Sequence, residues 1–200
     1  MTATEAALWP LFLFAVAASY SPGPNNIMVM STAARLGLPR TIPMAIGIVA
    51  GFGFMVSVVG IGLAVPLQRF PSLVGVMRWA GAIWLLVLAW KIGSAPGGTN
   101  GSERPAMGFL AAAGFQWINP KAWIMAVAAA ATFVIPGHGP VASSLLRAAV
   151  FAAVGLTSIA SWMLLGLGAG RLLATPGRLR RFNIAMGALL AASVVPAVLE

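Results

Sequence analysis

The residues best suited to chemistry fall in two short segments. One is Ser21, Pro22, Gly23, Pro24, Asn25 and Asn26; the other holds Gln116, Asn119, Pro120 and Lys121 in the run Gln116-Trp-Ile-Asn-Pro-Lys121. Each sets proline beside amide side chains inside an otherwise apolar stretch. Proline removes a backbone N–H and clashes with the carbonyl four residues back, so backbone polar groups come free. In hydrocarbon such groups are tolerated only where protein or a watery cavity meets them, and a broken helix offers N–H groups suited to a carboxylate. The chemistry expected is therefore non-covalent binding of a small polar molecule. Asn25, Asn26, Asn119 and Gln116 supply neutral donors and acceptors. Lys121 adds an ammonium that costs at least about 2.5 kcal/mol near a bilayer centre, so it should face a cavity or a partner, where it can attract a carboxylate or change charge during a transport cycle. The plainer readings are a packing kink for the prolines and a snorkelling lysine. The recurrence of Pro24-Asn-Asn-Ile-Met28 as Pro120-Lys-Ala-Trp-Ile-Met125 favours function, because interrupted segments at matching places mark the central site of a transporter.

The elements that must position these segments are membrane helices. The 200 residues are 60% hydrophobic and only 8% charged, with a mean hydropathy of +0.95, which a soluble body of this size could not hide. Six hydrophobic stretches are legible at 8–30, 42–65, 73–92, 107–135, 141–167 and 182–198, separated by joints at 35–40, 68–72, 93–104, 136–140 and 175–181. The expected fold is an all-α integral membrane protein of six transmembrane helices, with helices one and four broken. A linker-like segment at 95–106 divides it into three-helix halves, 1–94 and 107–200. An odd number of spans per half makes the second half run inverted relative to the first; Arg78 with Gly81 and Arg181 with Gly187 give slight further support.

Twelve Lys and Arg against three Asp and Glu give a formal charge of +9. No aromatic-interleaved basic stripe is present, so nucleic acid is not the expected partner. The charge instead sets topology: Arg35, Arg40, Lys91, Arg104, Arg171, Arg178, Arg180 and Arg181 lie to one side of a six-span arrangement and Arg69, Arg78 and Arg147 to the other. The richer side should be cytoplasmic, with both termini outside. Val16-Ala-Ala-Ser19 resembles a signal cleavage site, but the preceding Met1-Thr-Ala-Thr-Glu5 lacks Lys and Arg, so a mature helix is expected. Asn100-Gly-Ser102 is read as a chance match to a glycosylation acceptor.

Metal and nucleophile chemistry find little support. There is no Cys, and the lone His138, in a Pro136-Gly-His-Gly-Pro140 turn, cannot build a zinc cluster, so no cofactor or metal is expected. An intramembrane enzyme would lack an activating His, Asp or Glu, since Glu5, Glu103 and Glu200 lie outside the expected spans. Gly47, Gly51, Gly53, Gly60 and Gly62, like Gly166, Gly168 and Gly170, read as close helix packing rather than a dedicated dimer seam. Trp9, Trp79, Trp84 and Trp90 read as interface belt or packing, and Met28, Met30, Met44 and Met55 as core filler.

Ser21-Pro-Gly-Pro-Asn-Asn26 before a glycine-rich second span, Trp79-Ala-Gly-Ala-Ile-Trp84 with Ala89-Trp-Lys91, and Gln116-Trp-Ile-Asn-Pro-Lys-Ala122 together resemble the LysE/RhtB family of amino-acid exporters over essentially the whole chain. The resemblance implies a bacterial inner-membrane protein that expels amino acids or related metabolites. Many members have aspartate where this chain has Asn25, which removes the obvious anion for a substrate ammonium or coupling cation. The paired asparagines, with Thr132-Phe-Val-Ile-Pro136, are similar to the cysteine and O-acetylserine exporter branch, and imply a small neutral polar amino acid as substrate. The partners expected are that substrate and the bilayer, with proton or sodium coupling and a homodimer also compatible. A passive channel or facilitator for small polar solutes is the alternative, because it too would use broken helices and a polar constriction.

Overall fold

A computed structural model describes residues 3–63, 71–95, 105–172 and 175–195. Residues 96–104 of the central linker, with Asn100-Gly-Ser102, Glu103 and Arg104, the part of the second joint that holds Arg69, and Glu200 lie outside the described residues. Among the described residues the chain is all helical: α1 (Ala3–Tyr20), α2 (Pro24–Val58), α3 (Pro71–Gly93), α4 (Phe109–Phe115), α5 (Pro120–Thr132), α6 (Pro140–Leu172) and α7 (Pro176–Ala192). A π-helical turn, Val59–Leu63, follows α2, and a 3-10 turn, Gln116–Ile118, joins α4 toward α5. Five of these helices begin on proline, where the missing N–H is no loss and the fixed φ suits the first turn, so proline here starts helices more often than it kinks them.

α2 is 35 residues long, far more than the roughly 20 that cross a bilayer, and its contacts show why. Gly37 has φ 76° and ψ 175°, outside the helical region, with Pro39 just beyond it unable to donate back. Before this residue, Met30 and Ala34 lie against Gly166 and Gly170 of α6, so chain and partner run the same way. After it, Val49 lies near Gly155 and Gly60 near Ser144, so they run in opposite ways. The chain therefore reverses at Gly37, and Thr41 Oγ1 donates to the Gly37 carbonyl at 2.8 Å to close the corner. The charged joint expected at 35–40 is this single-residue reversal rather than a loop. Two further corrections concern basic residues. Arg178, Arg180 and Arg181 lie on the first turns of α7, because Pro176 starts that helix earlier than the apolar run does. Arg147, counted among the loop charges, is 5% exposed in the second turn of α6.

The spans are drawn together by residues with no side chain to separate them. α2 packs most extensively on α6, and also against α4, while α3 packs on α7 and α1 on α6. A Cβ on Gly47 or Gly51 would strike the backbone of Phe109 or Ala113 in α4, and one on Gly166 or Gly170 the backbone of Met30 or Ala34 in α2. Gly187 sits equally close to Ala89 and Gly93 across the α3–α7 contact. Gly53, Gly62 and Gly168 meet nothing, so within this stripe only some positions need glycine. Met28, Met44 and Met55 are buried core residues as expected. Outside, large apolar side chains stand exposed all around, including Leu110, Leu172, Val134, Phe54, Trp90 and Trp9. An exterior of this kind belongs in lipid, and the stretches Pro24–Gly62 and Pro140–Leu172 are long and apolar enough to cross it.

Gly166→Val should lower thermal stability in detergent by roughly 1–3 kcal/mol by forcing α6 from the Met30 backbone. Gly168→Val, in open space, should change it by less than about 0.5 kcal/mol. Equal melting shifts for the two would contradict the close-approach account.

Candidate functional site

α1 stops at Tyr20 because Pro22 and Pro24 cannot donate to the carbonyls behind them, and Gly23 lies extended at φ −172° and ψ 178°. The carbonyls left open at its end are taken by three side chains from elsewhere. Asn26 Nδ2 reaches back across the break to the carbonyls of Ser19 (2.8 Å) and Ser21 (2.9 Å). Ser158 Oγ of α6 donates to the Ser19 carbonyl at 2.8 Å. Lys121 Nζ, from the second break, donates to Ser21 O at 2.7 Å and Ser21 Oγ at 2.8 Å, with Pro22 O at 3.4 Å. A cation at a helix C-terminus also meets the negative end of the helix dipole. The two breaks are thus bonded to one another directly.

The second break is built the other way round. The 3-10 turn ends at Asn119, whose side chain accepts from Lys121 N at 3.2 Å and so caps α5, with Pro120 in the first turn. Gln116 is fully buried, and its amide forms a reciprocal pair with Asn25: Asn25 Nδ2 donates to Gln116 Oε1 at 2.9 Å and Gln116 Nε2 to Asn25 Oδ1 at 3.1 Å. Gln116 Nε2 also donates to the Ala112 carbonyl at 3.1 Å. A Cβ on Gly81 of α3 would strike the Ile118 carbonyl, so α3 holds this turn from behind.

Between the breaks lies a cavity of about 50 Å³. Gly23, Pro24, Asn25, Asn26, Asn119 and Lys121 line it, together with Ser19, Phe52, Phe151 and Ser158. The start of α2 and the start of α5 therefore face the same space, and helix starts carry unpaired N–H groups and partial positive charge. Of the expected site residues, Pro22, Gln116 and Pro120 do not line the cavity: Gln116 stands behind Asn25, Pro120 starts α5, and Pro22 offers only its carbonyl. Ser19 and Ser158 were missed, since single serines in apolar runs carry no distinguishing sequence signal. At roughly 10–15 Å³ per water this volume holds a few waters, less than an amino acid needs.

On the side toward the α6 start the cavity is stopped by aromatic rings. Phe52 and Phe151 meet edge to face at 5.3 Å, Phe14 lies 6.1 Å from Phe151, and Phe133 lies 5.3 Å from Phe14. Beyond them Arg147 ties the end of α5 to α6, its Nη1 donating to the Phe133 carbonyl at 2.9 Å and its Nη2 to Ser144 Oγ at 3.0 Å. His138 is an exposed turn residue, its Nδ1 3.0 Å from the Pro136 carbonyl. Among the described residues no cluster of His, Asp or Glu could hold a metal ion.

Sequence comparison identifies the scaffold that carries this geometry. The family model described as LysE type translocator matches residues 16–195. The chain belongs to the LysE family. Both breaks, and every residue lining the cavity between them, lie inside the matched span. Curated relatives include the cysteine/O-acetylserine efflux protein of Escherichia coli K12, 29% identical over 188 residues covering 94% of this chain and 95% of that protein. The Salmonella typhimurium protein of the same name is 31% identical over 134 residues, 66% of this chain and 68% of its own. No solved structure matches this LysE chain.

Asn25→Ala should destabilise the folded protein by roughly 1–3 kcal/mol, because it leaves the Gln116 amide buried with its partner gone. The double change Asn25→Ala with Gln116→Leu should cost less than the sum of the separate changes. Strict additivity in thermal unfolding would show that the amide pair contributes nothing.

Proposed function

We propose that this LysE-family chain is a secondary transporter, not an enzyme, which exports small amino acids or related zwitterions by alternating access. The observation that carries this reading is the meeting of two helix breaks around one polar cavity, with Lys121 of one break bonded to the carbonyls of the other. The pocket suits a zwitterion without any membrane carboxylate. A substrate carboxylate meets the α2 and α5 starts, and a substrate ammonium meets the Ser21 and Pro22 carbonyls that the Lys121 ammonium now occupies. Pro22, Gly23, Pro24, Asn25, Asn26, Gln116, Asn119, Pro120 and Lys121 form or support this site. Exchange of one ammonium for another at the end of α1 lets Lys121 swing away and the cavity widen.

Six crossings result when α1 with the first arm of α2 counts as one and α4 with α5 as another. Arg35, Arg40, Lys91, Arg171, Arg178, Arg180 and Arg181 then gather at one end, which faces the cytoplasm of a bacterial inner membrane. The halves are inverted repeats: contact of the second span with the fourth is mirrored by contact of the fifth with the first. The efflux proteins to which the chain is similar make cysteine and O-acetylserine the first substrates to try.

In proteoliposomes loaded with labelled O-acetyl-L-serine or L-cysteine, the wild-type chain should exchange at least one of the two. Lys121→Ala and Asn25→Ala should each slow exchange by about tenfold or more while folded protein survives. Unimpaired exchange by both variants would remove the site assignment. Flux in proteoliposomes that ignores imposed proton and sodium gradients would favour the passive facilitator.

A further inference from the structure

The central cavity changes character between the helix breaks and the α6 start, and three helices that line it show the change in step. On α6 the lining residues are Ser158, Gly155 and Phe151, at intervals of three and four on one helix face. On α5 they are Lys121 and then Met125, and on the second arm of α2, after Gly37, Val49 and then Phe52. The level beside the breaks is polar: Ser158 donates to the Ser19 carbonyl at 2.8 Å and Lys121 to the Ser21 carbonyl at 2.7 Å. About one turn further, roughly 5 Å along the helix axes, the wall is made by Val49, Phe52, Met125, Phe151 and Gly155, none of which has a side-chain nitrogen or oxygen. The rings of Phe52 and Phe151, edge to face at 5.3 Å, close that end.

Beside hydrogen, the α-carbon of an amino acid bears an ammonium, a carboxylate and a side chain. With the carboxylate at the starts of α2 and α5 and the ammonium at the Ser21 and Pro22 carbonyls, the side chain is left to enter the apolar level. The residues there lie inside helices whose backbone groups bond along the helix. A hydroxyl, amide or charged terminus that enters therefore loses its water and gains no partner, whereas a thiol, an ester methyl or a short alkyl group loses little. Gly155 bears on length. A Cβ on it would meet Val49 at 3.8 Å, an ordinary contact, so the space in front of this glycine belongs to the cavity rather than to packed protein.

We propose that this apolar level is the side-chain subsite of the transporter, in which Gly155 limits the length of the side chain and Phe52, Phe151 and Met125 exclude polar ends. The inference rests on the transport reading above and narrows it. The cargo is an α-amino acid whose side chain is short and ends in a group that binds water weakly.

L-2-Aminobutyrate and L-serine differ only in a terminal methyl or hydroxyl, so the pair reads polarity at constant length. In proteoliposomes holding the full-length protein, kcat/KM for 2-aminobutyrate should exceed that for serine about tenfold or more. Gly155→Ala should lower the value for the longer O-acetyl-L-serine about tenfold relative to that for 2-aminobutyrate, a ratio that a merely structural glycine would not move. Serine carried as well as 2-aminobutyrate, or a Gly155→Ala variant that slows both lengths equally, would overturn the subsite. The wild-type comparison decides alone if the variant does not fold. Thermal shifts of the purified protein with the same ligands read binding without flux. Shifts in the expected order without any flux would sustain the subsite and defeat the transport reading; flux that ignores side-chain polarity would do the reverse; neither shifts nor flux would overturn both.

Discussion

The structure turns on the open carbonyls at the end of α1. A helix interrupted within an apolar body exposes acceptors that cost several kcal/mol each if left dry, and no local residue can satisfy them all. Asn26 takes part of the debt from the following helix, Ser158 part from α6, and Lys121 the rest from the other break. One chemical need therefore ties three elements, far apart in sequence, to a single point. The cavity exists because those donors converge there without filling the space.

Close helix approach makes that convergence geometrically available. Lys121 reaches Ser21 only because Gly23 has no side chain: a Cβ there would stand 2.8 Å from the lysine Cδ. α6 brings Ser158 within range of Ser19 because Gly166 and Gly170 let it lie directly on the α2 backbone. Without water to drive apolar faces together, such contacts rest on packing and on hydrogen bonds, which favours small residues at the seams. The same economy is absent from the lipid-facing surface, where bulky side chains are unconstrained.

Much of this was legible beforehand because proline and asparagine act locally. Pro22, Pro24 and Pro120 mark the breaks on their own, and a lysine inside an apolar run is expected to face a cavity or a partner, but that Lys121 bonds to the other break is visible only in the fold. What was hidden depends on registers between helices. Gln116 reads as a site residue by type, yet only the fold shows that it stands behind Asn25. Arg147 reads as a loop charge beside a joint, because composition cannot reveal that the Phe133 carbonyl waits for it. The reversal at Gly37 reads as a charged loop in the sequence, since nothing local says that one glycine followed by Pro39 turns the chain without an intervening coil.

That corner has a mechanical meaning. With one residue between them, the two arms of α2 have no slack, and they behave as a bent lever rather than as separate rods. The first arm carries Asn25 at the centre and Arg35 near the bend; the second is clamped to α4 through Gly47 and Gly51. Through that clamp the first arm is connected to α4 and the turn that ends in Asn119. The arm that bears Asn25 and the arm packed on α4 are thus joined end to end at Gly37, with no coil to uncouple the centre of the molecule from its basic rim.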